Sequence, residues 1–210
     1  MPPPGRTLAV AVYRPLAEQL AGIAAPLGGK RVLELSAGDG ELSARLRRDV
    51  GEHGSVEVRA RPWNLTQDAG HFDVALSLLA IDVQDELQSV LPQLSVIARR
   101  AHVAVAGGGA TYDNALRTAW RDVDGTDLEA LPPTDPVSSP NGWRQRRLSD
   151  VARFDGIDQL LTGLTDERGI EVQSDQRTAL RDRLAAELAP FTAADGTMRI
   201  PVHATLVEHG

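Results

Sequence analysis

Short apolar runs alternate along the chain with stretches whose apolar residues recur every three to four positions, and glycine or proline separates most of them. Leu8 to Leu27 has the helical spacing, with Pro15 tolerated near a helix start or break and Gly28-Gly29 as a stop, so residues 1–29 are expected to form a helical N-terminal cap. Arg31 to Ser36 then reads as a first strand. Glu41 to Val50 reads as the following helix, ended by the turn Gly51-Glu52-His53-Gly54, and Ser55 to Arg59 as a second strand. Phe72 to Leu78 is apolar nearly throughout, which predicts a strand buried on both faces, as in a parallel sheet. Gln84 to Arg100 is expected to be helical with an interruption at Pro92, and Ala101 to Ala106 to be a fourth strand closed by Gly107-Gly108-Gly109.

The second half reads less sharply. A helix over Asn114 to Val123 gives way to a Pro-, Ser- and Gly-rich stretch, Pro132 to Gly142, expected to be a mobile surface segment. Beyond it the pattern predicts a helix near Ser149 to Leu164, a strand at Ile170 to Ser174, a helix at Gln176 to Leu188 and a last strand at Met198 to Val207. Six strands alternating with helices predict an α/β fold, a doubly wound, mostly parallel sheet that binds ligands beyond the carboxyl ends of its strands. No internal repeat or low-complexity tract interrupts it, and 210 residues suit a single domain, 1–210.

Composition narrows the chemistry. With no cysteine, disulfides, thiolate metal sites and a cysteine nucleophile are excluded, and Lys30 as the only lysine limits Schiff-base chemistry to that position. A formal charge of -7 argues against nucleic acid as a partner and toward a small-molecule substrate. No apolar run is long enough to span a bilayer, and Met1-Pro2-Pro3-Pro4-Gly5 lacks a signal-peptide pattern, so a cytoplasmic protein with no membrane partner is expected.

The most informative stretch is Arg31-Val32-Leu33-Glu34-Leu35-Ser36-Ala37-Gly38-Asp39-Gly40. A buried strand enters a glycine turn that opens a helix, and such a turn brings backbone N–H groups close to a ligand. Read with the Phe72-Asp73-Val74 strand and with Asp195-Gly196-Thr197-Met198-Arg199-Ile200-Pro201, it resembles the class I S-adenosylmethionine-dependent methyltransferases of the small-molecule, type 11-like kind, over nearly the whole chain. The resemblance implies a Rossmann-like methyltransferase fold with S-adenosylmethionine as cofactor. It also implies that Glu34 matches the acid ending the first strand, and that Ser36, Ala37, Gly38 and Gly40 wrap the methionyl part; Ser36 replaces the first glycine of a G-x-G-x-G turn.

Two departures qualify it. The family holds the ribose hydroxyls with an acid at the end of the second strand, because a carboxylate accepts hydrogen bonds from a vicinal diol. Here that end carries Arg59, which accepts none, and Glu57 can serve only if the register suits. The segment Ala60 to His71 is also too short for the helix and strand the family places before Phe72, so one βα unit is missing from the sheet edge and the adenosine-binding half is shortened. Trp63, Asn64, Gln67 and Asp68 are the local residues that can rebuild the wall; Trp63 either stacks on an adenine or covers the exposed edge.

Methyl transfer needs alignment, and a base only where the acceptor loses a proton. Asp82 falls at the expected mouth of the site and is a candidate base, or an N-cap for the next helix. Tyr13 and Tyr112 can close over a substrate or pack in the cap. No histidine has a partner at metal-ligand spacing, so no metal is expected. Trp143 with Arg144, Arg146 and Arg147 can bind an anionic substrate or a carrier's phosphate, or form a solvated face. The function expected is methyl transfer to a small metabolite. The alternatives are a methyltransferase-fold protein that serves as a non-catalytic partner subunit of an active enzyme, a cofactor-independent enzyme such as a cyclase, or a module binding an acidic metabolite through Arg59 and Arg61. An open edge at the second strand makes a homodimer, or a heteromer with an active methyltransferase, the expected assembly.

Overall fold

The computed structural model describes residues 7–36, 40–63, 65, 71–81, 84–106, 111–128 and 140–210. A π-helical turn, Ala9–Tyr13, runs into α1 (Arg14–Ala24). The chain continues through β1 (Arg31–Leu35), α2 (Glu41–Val50), β2 (Ser55–Arg59), β3 (Phe72–Leu78), α3 (Gln84–Ile97), β4 (Ala98–Ala106) and α4 (Thr111–Asp124). It ends with β5 (Arg144–Phe154), α5 (Ile157–Arg168), α6 (Ser174–Glu187), a 3-10 turn at Ala189–Phe191 and β6 (Met198–His209).

The six strands form one sheet in the order β2-β1-β3-β4-β6-β5. β2, β1, β3 and β4 pair in parallel, and β6 runs antiparallel to β4. β2 is an edge, as expected, and among the described residues no strand or helix lies between it and β3.

The described residues fall into two compact units: those within Leu16–Gly108, Pro132–Ser149 and His203–Gly210, and those within Met1–Pro15, Gly109–Leu131 and Asp150–Val202. In the first unit, β1 and β3 are buried on both faces and largely apolar, because parallel strands inside a sheet are covered twice. Leu33, Leu35, Phe72, Ala75, Val103 and Val105 meet the apolar stripe of α3, and Leu65 joins them fully buried from the β2–β3 connection. In the second unit, Leu116 and Ala119 of α4, Leu160, Leu161 and Leu164 of α5, and Leu180 and Leu184 of α6 are buried, and α6 packs on both other helices. Gly163 lies where a Cβ would press to 3.2 Å on Leu8, so a glycine in α5 lets the N-terminal segment approach.

Three expectations are corrected. α3 runs through Pro92 without interruption, because Leu87, Val90, Leu91, Leu94 and Ile97 continue one buried stripe past it. Pro92 lies on the exposed side, where the carbonyl it leaves without a donor can meet water, so packing overcomes an intrinsic penalty of about 3 kcal/mol. Ser149 to Leu164 is not one helix. Its first part belongs to β5, in which Leu148, Ala152 and Phe154 point inward between exposed neighbours; Leu148 and Ala152 fit a helical spacing equally well, and that ambiguity misdirects the pattern. Ile170 to Ser174 is not a strand. α5 ends in left-handed Gly169, and the Ile170 N–H donates back to the Thr165 carbonyl at 2.9 Å, so this backbone closes a helix instead of joining a ladder. β4 also starts three residues earlier than predicted, at Ala98.

Candidate functional site

The carboxyl ends of β1, β2 and β3 lie side by side, and of the predicted residues Glu34, Ser36 and Glu57 lie in or next to these strands. Glu34, next to last in β1, is buried at 2 % exposure. Its Oε2 accepts a hydrogen bond from Ser43 Oγ in the first turn of α2 at 2.6 Å. A buried carboxylate is tolerable here because a hydroxyl pairs with it and the positive end of the helix dipole lies beside it. Glu34 thus ties β1 to α2. Gly40 is the N-cap of α2 and, having no side chain, leaves the helix start without a side-chain cap. Ser36 is buried, and its backbone N–H donates to the Arg59 carbonyl at 3.0 Å, extending the β1–β2 pairing past the end of β1.

β2 carries Glu57 and Arg59 on one face, as the period of two requires, and their side chains meet: Arg59 Nε lies 2.7 Å from Glu57 Oε1. Arg59 also stands over the Phe72 ring, 5.8 Å from its centre. Its carbonyl accepts a second hydrogen bond, from Trp63 Nε1 at 3.0 Å. Trp63 is half-buried against the core. Arg61 lies 5.3 Å over the Trp63 ring, pairs with Glu86 of α3 at 2.9 Å and donates to the Ala80 carbonyl. The short connection after β2 is therefore fastened at three places: to β2 by Trp63, to the segment after β3 and to α3 by Arg61, and to the core by Leu65.

Two features at the end of β3 have no counterpart in the sequence reading. Leu79 adopts a positive φ of 52°, a region that disfavours a leucine, while its N–H donates to the Ala104 carbonyl at 2.7 Å and so carries the β3–β4 pairing one step further. Ser77, fully buried between Leu35 and Val103, has a hydroxyl with no hydrogen-bond partner among the described residues. A polar residue inside an otherwise apolar strand is the signal that points to Ser77; nothing in the sequence points to Leu79.

Ala37, Gly38, Asn64, Gln67, Asp68, Asp82 and the segment Pro132 to Ser139 lie outside the described residues. Tyr13 and Tyr112 belong to the second unit, where the Tyr13 hydroxyl donates to Glu167 of α5 and Tyr112 is half-buried in the first turn of α4. Among the described residues no group of three histidine or acidic side chains is placed to hold a metal ion. No described helix is long and apolar enough to cross a membrane.

No protein-family model matches the chain. No curated protein matches it in sequence. Its fold does match solved structures. A cyclopropane-fatty-acyl-phospholipid synthase-like protein from Lactobacillus casei superposes with a TM-score of 0.54 at 15% identity, covering 97% of this chain and 92% of that one. A protein assigned provisionally as a type II methyltransferase from Anaeromyxobacter dehalogenans superposes with a TM-score of 0.53 at 15% identity, covering 93% of this chain and 95% of its own. Strand order and these two likenesses agree: the chain has the Rossmann-like methyltransferase fold.

Proposed function

We propose that this protein binds S-adenosylmethionine at the carboxyl ends of β1 and β2 and transfers its methyl group to a small metabolite. The observation that carries the reading is the buried Glu34 carboxylate at the end of β1 held by Ser43 of α2, a helix that starts at Gly40 without a side-chain cap. The methionyl end fits the described residues: Glu34 and Ser36 stand at the end of β1, and Gly40 at the start of α2. The cofactor supplies an activated methyl group on sulfur, and the protein's part is to hold it in line with the acceptor.

The ribose end fits less simply. Glu57 is the carboxylate available for a diol, and it must exchange Arg59 for the ribose hydroxyls. That pair, with Trp63 turned to the Arg59 carbonyl, favours a second reading: a methyltransferase-fold protein without methyl transfer, serving as a partner subunit of an active enzyme or as a cofactor-independent enzyme such as a cyclase. In either reading the β2 edge is where we place a second copy or a heteromeric partner.

Titrating S-adenosylhomocysteine by calorimetry separates the two. Micromolar binding that weakens roughly tenfold in Glu57→Gln supports the first reading, because a charged hydrogen bond to the ribose is then lost. Absence of heat at millimolar ligand, in the isolated chain and in Arg59→Gln, supports the second.

A further inference from the structure

β2 ends the sheet, and its peptide groups point alternately to its two sides. The Ser55 N–H donates to the Lys30 carbonyl at 2.9 Å, and the Arg59 carbonyl accepts from the Ser36 N–H at 3.0 Å. Ser55, Glu57 and Arg59 thus turn their peptide groups toward β1, and Val56 and Val58 turn theirs away from it. Among the described residues no backbone hydrogen bond reaches those outward groups. The side chains divide as well. Val56 and Val58, both half-buried, lie on one face in rows with Val32 and Glu34, while Glu57 and Arg59 lie on the other.

A second copy of β2 laid against this edge must run antiparallel, related by a two-fold axis, and few positions for that axis exist on a short strand. Centred on Glu57, the axis sets glutamate against glutamate. Centred on Arg59, it sets arginine against arginine, and like charges directly opposite destabilise a strand pair. Centred on Val56, it sets Glu57 opposite Ser55 and Arg59 opposite His53, with no ion pair gained. Centred on Val58, it sets Glu57 opposite Arg59 and Arg59 opposite Glu57. Val58 then faces its own copy, so the outward N–H and C=O groups of the two valines exchange hydrogen bonds.

We infer that the β2 edge takes a second copy of this chain, paired antiparallel about Val58, so that two six-stranded sheets continue as one. This rests on the β2 placement of a partner proposed above and commits it to one occupant and one register. Each chain already holds Arg59 Nε 2.7 Å from Glu57 Oε1. Pairing keeps that contact and adds a crossing one, which closes a ring of four alternating charges. Such a network holds where a lone exposed ion pair contributes little. On the other face, four half-buried valines come together beside Val32 of each chain. Strands of five residues bury a small interface, so the dimer is reversible, with a dissociation constant roughly in the micromolar range.

The test is sedimentation velocity on the whole chain, without cofactor, over a series from about 1 μM to about 1 mM. Wild type should pass from monomer to dimer. Glu57→Arg and Arg59→Glu each set like charges opposite one another twice, so each variant alone should dimerise at least roughly tenfold more weakly. An equimolar mixture of the two sets the arginines of one chain opposite the glutamates of the other, and should recover a dimer close to wild type in affinity. Circular dichroism checks that both variants keep the wild-type fold; should either lose it, Val58→Lys, which opposes two cations at the axis, must weaken the dimer comparably. A wild-type chain that stays monomeric throughout overturns the second copy as occupant. A dimer indifferent to these substitutions, or a mixture that does not recover, overturns the β2 register. S-adenosylhomocysteine is absent from the series, so its titration stands or fails separately.

Discussion

The two ends of the parallel strands treat charge in opposite ways. After β1 and β2, Glu34 has Ser43, Glu57 has Arg59, and Arg61 has Glu86 and a backbone carbonyl. Near the start of β4, Arg100 and Arg144 line a cavity and pair with no acid among the described residues, while Glu208 in the same wall is engaged by Arg146. A site whose charges are paired internally must exchange partners to take a ligand, and it gains stability while it waits. Cations without such partners forgo that stabilisation. The first end is where we propose the cofactor, yet the second end has the less committed charges.

The largest effect is expected where the short β2–β3 connection enters the core. Leu65→Ala should lower unfolding stability by about 2–5 kcal/mol in urea titration, because a fully buried leucine leaves a cavity. A loss below about 1 kcal/mol would show that the connection is not anchored, and the contrast between the two ends would lose its structural basis. Ser43→Ala should cost about 2 kcal/mol, since it removes a donor from a buried carboxylate. An unchanged denaturation midpoint would mean that Glu34 needs no donor at this end.

The smallest effect concerns His102, whose neighbours include Arg100. Burial pushes the His102 imidazole below its ordinary pKa of 6.5, the nearby Glu208 carboxylate opposes this, and Arg100 and Arg146 add to it. Above 6.5 the ring is neutral in both folded and unfolded chains. As pH falls through 6.5 the unfolded chain takes up the proton first, so stability should decline from there toward the folded value and then level off. His203 shifts in the same direction by burial. Asp73 and Asp195 are lowered from 3.8 by hydrogen bonds from Arg31 and Thr197, and their contributions are lost only at more acid pH. Urea midpoints between pH 7.5 and 5 should therefore fall in wild type and fall less in His102→Asn; parallel profiles would remove His102 from the account.

Much of the first unit is legible in the sequence because its strands are short apolar runs bounded by glycine turns, a signal that comes from burial on both faces. β5 is not, because only one of its faces is apolar and two of its inward residues also fit a helix. Pro92 misleads in the opposite sense, since local chemistry forbids what a buried stripe enforces. Within the candidate site, Glu34 and Gly40 are found from their places around a turn. The work done by Arg61, as a clasp between Trp63, Ala80 and Glu86, is set by three-dimensional proximity and has no periodic trace. The cluster around His102 is hidden for the same reason. Arg144 and Arg146 stand out as charges near Trp143, but Arg100, His102 and Glu208 reach them only through the antiparallel register of β4 and β6.

Leu79 has a bearing on how this chain tolerates change. A leucine in left-handed backbone spends about 1–2 kcal/mol that glycine or asparagine would keep. Position 79 is therefore a place where a single substitution can raise the melting temperature, and where a library selected for thermal resistance alone would drift away from the native residue. Whatever such variants lose in return, measured against the wild-type chain, would reveal what the half-buried leucine side chain is kept for at the end of β3.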